Sequence, residues 1–107
     1  MLYLVIAEVK GLPPAPSVES LEQGLAALER LDELRRAGKV EGAGVFAGRM
    51  GMCFTIDAAS NTELHEIVAS LPTFMQAEWQ VTPLVSLEED LVLTRAARDR
   101  FRGALDG

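Results

Sequence analysis

Residues 40–57 read VEGAGVFAGRMGMCFTID, two apolar runs that meet at Gly48-Arg49. A glycine at the first central position of a two-residue connection suits a type II′ turn, whose twist matches that of the antiparallel strands it joins. With Ala47 opposite Met50, the pairing runs back to Val40 opposite Asp57 and gives the hairpin two unlike faces. Ala43, Val45, Met50, Met52, Phe54 and Ile56 lie on one, which predicts the floor of a core. Gly42, Gly44, Gly51, Cys53, Thr55 and Asp57 lie on the other, with Phe46 as its one large side chain. Small residues clustered on one sheet face leave room for a ligand or a partner to approach the backbone, so this face predicts a cleft.

The flanking segments supply the remaining elements. Residues 2–9, LYLVIAEV, are apolar on both faces up to Glu8, the mark of a central strand covered on two sides. Three prolines within 11–16 exclude helix or inner strand and predict a loop. Ser17 is an N-cap for a helix whose stripe of Leu21, Leu25, Leu28, Leu31 and Leu34 ends at Gly38. After the hairpin, Ser60 and Glu63 form a capping box for a helix with Leu64, Ile67, Val68 and Leu71 inward, which Pro72 terminates. Residues 78–82 alternate with period two and run into Pro83, as an edge strand does. Trp79 and Tyr3 share the period of the core-facing Val81 and Val5 and are expected to pack. Ser86 and Glu89 open a last helix with Leu87, Leu91, Ala97 and Phe101, and Arg95, Arg98, Arg100 and Arg102 complement its C-terminal dipole.

The order β-α-β-β-α-β predicts an α+β, ferredoxin-like sheet with two helices on one face and a C-terminal helix. At 107 residues and 49% hydrophobic content, one domain spanning 1–107 is expected, with 86–107 a helical extension. The other sheet face, carrying Leu4, Ile6 and Phe46, is too apolar to stand in water, so the chain is expected to pair with itself through that face as a homodimer or part of a larger ring.

Sixteen acidic against ten basic side chains, with no long Lys/Arg run, argue against nucleic acid. No apolar run reaches the roughly 20 residues of a spanning helix, and no membrane role is expected. The lone Cys53 excludes an intramolecular disulfide, the N-terminal segment lacks a basic n-region, and a cytoplasmic location is expected. One His and one Cys among scattered carboxylates give no metal signature, and no glycine-rich phosphate loop follows a strand.

Met1-Leu2, Val5, Val9-Lys10 and Leu12-Pro13, then Ala47-Gly48, Asp57, Ser60, Glu63-Leu64-His65, Leu71-Pro72, Phe74, Val81 and Leu84 resemble the muconolactone isomerase family of aromatic catabolism. The resemblance runs from Met1 to about Leu84 and implies a dimeric α/β barrel. It also implies a cofactor-free, C=C-transposing intramolecular isomerase, which takes a proton from one carbon of a small unsaturated lactone or acid and returns it to another. Such chemistry needs a base, a positioned acid and a cation for the substrate carboxylate. Where the resemblance implies His and Lys, this chain has Leu4 and Ile6. Where it implies Arg, His, Trp and Arg, it has Glu41, Gly42, Gly44 and Val45. Arg49 stands in place of a His and Cys53 in place of a Tyr.

The candidate catalytic groups are therefore Asp57, Glu8 and His65, and the candidate ligand contacts are Arg49, Cys53, Gln80 and Phe46. Each has a plainer reading. Glu8 is a base or a solvated strand-end carboxylate. Asp57, which fits the family pattern, is a cleft residue or a turn residue before a helix. His65, the one side chain whose ordinary pKa lies near neutrality, is a proton carrier or a half-buried structural residue. Cys53 is a reactive thiol or a buried packing residue, and Gln80 is a ligand contact or part of a polar dimer rim. Two further functions fit the same face: an apolar small-molecule site against Leu4, Ile6, Phe46 and Cys53, or a structural oligomer with no chemistry.

Overall fold

The computed structural model describes residues 1–9, 15, 17–72 and 74–106. Four strands, β1 (Leu2–Glu8), β2 (Val40–Val45), β3 (Gly51–Asp57) and β4 (Glu78–Leu84), form one antiparallel sheet in the order β2-β3-β1-β4. Helix α1 (Val18–Arg36) joins β1 to β2, and α2 (Asn61–Ala69) with a short 3-10 turn joins β3 to β4. This is the ferredoxin-like arrangement, followed by α3 (Leu87–Asp106). Apart from Ala15, the expected proline loop lies outside the described residues.

One face of the sheet carries the core. Tyr3 and Val5 from β1 and Phe54 and Ile56 from β3 cluster with Leu31 and Leu34 of α1 and Leu64 and Ile67 of α2. Phe54, Ile56, Val5 and Val40 are almost wholly enclosed, and removing each from water contributes about 1.5–3 kcal/mol. Tyr3 remains compatible with burial because its hydroxyl donates to Asn61 Oδ1 at 2.7 Å, and the Trp79 indole N–H donates to the Phe74 carbonyl at 2.9 Å.

The helix ends follow their local chemistry. The Ser17 hydroxyl accepts from the Ser20 N–H at 3.0 Å and Ser20 Oγ accepts from the Ser17 N–H, a capping box with serine on both sides. At the other end of α1, Gly38 takes φ +77° and the Lys39 N–H reaches the Leu34 carbonyl at 3.0 Å, closing a Schellman motif that few residues other than glycine allow. In α2 the Glu63 N–H donates to Ser60 Oγ, while the Glu63 carboxylate reaches past the cap to accept from the Ala59 N–H at 3.1 Å.

Two expectations are corrected. Near the turn the hairpin pairs as expected, Val45 with Met52 and Gly44 with Cys53, but further along Glu41 pairs with Thr55 and Val40 with Ile56, not with Asp57. A bulge between Glu41 and Gly44, with Gly42 at φ +60°, absorbs one residue. Val40 is thereby turned into the core, where it is buried to 1% exposure. The leucine stripe of α1 is only half used: Leu31 and Leu34 are buried, whereas Leu21, Leu25 and Leu28 are exposed. The first half of α1 stands away from the hairpin end of the sheet and leaves between them an apolar cleft of about 690 Å³.

Candidate functional site

The open sheet face is read most simply as rows of side chains running across the strands. Strand register places Gly44, Cys53, Ile6 and Gln80 side by side in one row. The next row toward the hairpin end holds Gly51, Glu8 and Glu78. Phe46 extends this row beyond β2, its N–H donating to the Gly51 carbonyl at 3.0 Å. Neighbouring strands are about 4.8 Å apart and alternate residues of a strand about 6.8 Å, so both rows fall within the span of one small molecule.

Arg49, in the turn, folds back over this row. Its guanidinium carbon lies 4.1 Å from the centroid of the Phe46 ring, and Nη1 is 3.8 Å from Glu8 Oε2. Beneath the ring, Gly51 leaves no space for a side chain: a Cβ there would lie 2.6 Å from the Ala7 carbonyl oxygen and 2.8 Å from Phe46 Cδ2. Glycine at 51 therefore seats the phenyl ring, the ring supports the guanidinium, and the guanidinium meets the Glu8 carboxylate. Both Arg49 contacts are partly exposed, and such an ion pair and such a cation–π contact each contribute only about 0–1 kcal/mol. A carboxylate ligand could take Arg49 from Glu8 at little loss. Cys53 is a free, half-buried thiol beside Ile6.

Five of the seven candidate residues, Glu8, Arg49, Phe46, Cys53 and Gln80, thus gather at one end of the open face. Asp57 and His65 are not brought to them. Asp57 sits at the far end of β3 opposite Leu2, with its side chain 76% exposed and its carboxylate 3.2 Å from the Met1 amino group. His65 lies on α2, behind the sheet, exposed and set edge-on to Phe74 with ring centroids 6.2 Å apart. Glu78, opposite Glu8 in the β1/β4 register, puts a second carboxylate in the site row. Only knowledge of that pairing could have singled it out, since nothing near it in sequence is distinctive.

Among the described residues no group of three or more His, Cys, Asp or Glu side chains could hold a metal ion, and no helix is long and apolar enough to cross a membrane.

The ferredoxin-like sheet, with an open face bearing a carboxylate, a cation and small residues, defines a small α+β protein of the dimeric α/β-barrel class. A family model for muconolactone delta-isomerase matches residues 1–90, and the chain belongs to that family. Among solved structures it is similar to a muconolactone isomerase, at 23% identity and a TM-score of 0.71, over 80% of this chain and 90% of the other. It is also similar to the 5-chloro-2-hydroxyhydroquinone dehydrochlorinase of Burkholderia phenoliruptrix AC1100, solved in complex with 2,5-dihydroxybenzoquinone, at 20% identity and a TM-score of 0.62, over 82% of this chain and 97% of the other. A search of proteins with curated functions finds no match.

Proposed function

We propose that the chain is a cofactor-free isomerase of the muconolactone isomerase type, acting on a small unsaturated lactone or acid at the hairpin end of its open sheet face. The observation that carries this reading is the Glu8–Arg49–Phe46 cluster, a base beside a loosely held cation on an apolar support. In a member of this family it supplies two of the parts that double-bond transposition needs. Arg49 anchors the substrate carboxylate. The Glu8 carboxylate takes a proton from a carbon next to the conjugated system, the electron pair of the broken C–H bond moves into the ring as a dienolate, and the proton returns from Glu8 to a different carbon. Atoms and electrons balance, so the step calls for no oxidant or reductant. The similar dehydrochlorinase eliminates hydrogen chloride by name, and an elimination can likewise begin with proton removal. Asp57 and His65 are given no part in this step.

The single chain leaves the site as an open sheet, and a small substrate needs walls that exclude water. A second copy packed over Leu4, Ile6 and Phe46 provides them. The working form is therefore a homodimer or a ring of dimers of one ferredoxin-like domain, in the cytoplasm.

The test is proton exchange in deuterated water, followed by NMR on a carboxylate-bearing unsaturated γ-lactone. The wild-type chain should isomerise it and place solvent deuterium at the carbon that is reprotonated, and Glu8→Gln should slow this by about 100-fold or more. A wild-type chain that neither isomerises nor exchanges any such lactone rules the reading out.

A further inference from the structure

Helix α3 has no partner within its own chain. None of its described side chains is buried, Phe101 is 74% and Leu105 86% exposed, and the molecule reaches 70 Å along its longest axis against 28 and 20 Å across. The helix is 20 residues, or about 30 Å, long, and it lies largely beyond the residues matched by the family. It leaves the sheet at Leu84, opposite Leu2, whereas the apolar cleft under the first half of α1 lies at the other end, beside Met50 and Gly51. Ser86 caps the helix two residues after β4, accepting from the Glu89 N–H at 3.1 Å. The arm is thus fixed at the end of the sheet remote from the cleft.

The two orphan surfaces complement one another. The first half of α1 exposes Leu21, Leu25 and Leu28, and residues 18–29 contain Glu19, Glu22 and Glu29 with no basic residue. The second half of α3 exposes Phe101 and Leu105, and residues 94–105 contain four arginines with Asp99 as the one acid. At 100° per residue, Glu22 and Glu29 flank the leucine stripe of α1, and Arg95, Arg98 and Arg102 run along one flank of the Phe101 stripe. Glu22 to Glu29 and Arg95 to Arg102 are both steps of seven residues, about 10.5 Å of helix, so both oppositely charged pairs can meet at once.

We propose that α3 is an exchanged arm. Its distal half docks along the first half of α1 of a second copy of this chain, with Phe101 and Leu105 entering the cleft beneath that helix and Arg95 and Arg102 meeting Glu22 and Glu29. Reciprocal exchange closes the pair about a two-fold axis and buries both orphan faces. This contact is separate from any pairing of the open sheet faces.

Charge reversal with rescue tests it, read by sedimentation equilibrium of the full chain. Glu22→Arg with Glu29→Arg, and independently Arg95→Glu with Arg102→Glu, should each raise the dissociation constant about tenfold or more, and all four together should return it to within about threefold of wild type. All four positions are exposed, and circular dichroism verifies that each variant is folded. As a second readout, a Leu25→Cys chain and a Phe101→Cys chain, both carrying Cys53→Ser, should form a disulfide-linked pair when mixed and oxidised. A monomeric wild type, reversals that leave association unchanged, a quadruple variant that is not rescued, or no linked pair overturns the proposal. Ile6→Arg separates it from sheet-face pairing. Association that is lost with Ile6→Arg yet indifferent to the reversals means that the sheets pair and the arm does not exchange.

Discussion

Glu8 and Asp57 stand at opposite ends of the sheet. Strand β1 sets Glu8 against Gly51 and Leu2 against Asp57, so the two carboxylates are separated by about 20 Å of strand. One small substrate bound to a single chain cannot touch both. Glu8→Gln should therefore abolish most turnover, whereas Asp57→Asn should leave kcat/KM within about threefold of wild type, the size of a peripheral electrostatic effect. Steady-state kinetics on the two variants decide between them, and an Asp57→Asn enzyme as inactive as Glu8→Gln would move the chemistry to the other end of the face.

Gly51 is constrained by space. Gly51→Ala pushes a methyl group into the Ala7 carbonyl oxygen and the Phe46 ring, and overpacking of this kind costs about 1–3 kcal/mol. Urea unfolding should show that loss. Adding Phe46→Leu should recover only part of it, because the carbonyl belongs to the backbone and cannot withdraw.

Gly42 is constrained by conformation alone. Nothing lies within 4 Å of the position a Cβ would take, yet its φ is +60°. Gly42→Ala should cost about 1–2 kcal/mol through the left-handed backbone, and Gly42→Asn less, since asparagine tolerates that region better. Equal losses for the two variants would mean that the bulge is held by something other than the glycine.

The start of α2 carries a pH-dependent tie to the loop before β2. Lys39 Nζ lies 2.7 Å from Glu63 Oε1, and this contact, aided by the Ala59 N–H, holds the Glu63 carboxyl below its ordinary range; the same contact raises Lys39. A lowered carboxyl contributes stability above the unfolded pKa of about 4.3 and loses it as pH falls through the lower folded value. The raised Lys39 contributes below its unfolded pKa of about 10.4 and loses that contribution as pH rises through the folded value. The Tm difference between wild type and Glu63→Gln should therefore be full near neutrality and shrink toward strong acid. A difference independent of pH would assign the tie to packing.

The sheet order, both core helices and their caps were legible in the sequence because each rests on local signals: Ser17 and Ser60 before periodic apolar runs, Gly38 after one, and Gly48 between two strands. The bulge was not. Gly42 and Gly44 look alike in sequence, and only the three-dimensional competition to bury Val40 decides that the extra residue is absorbed at 42–43. Nor could periodicity show that Leu21, Leu25 and Leu28 stay exposed, since a stripe looks the same whether its own sheet or another surface covers it. Of the candidate site, the hairpin residues and Glu8 converge because alternation along β1, β3 and β4 predicted their common face, while His65 is separated from them by the thickness of the sheet.

The slip in β2 also acts as a phase joint. Val40 and Val45 lie an odd number of residues apart and still face the same way, so the root of the strand and its tip keep independent reading frames. The root can be selected for how well it seals the core. The tip, with Phe46 and Arg49, can gain, lose or rotate chemistry without that seal being rewritten, which is the freedom a scaffold needs if related chains are to keep one architecture and vary what they do with it.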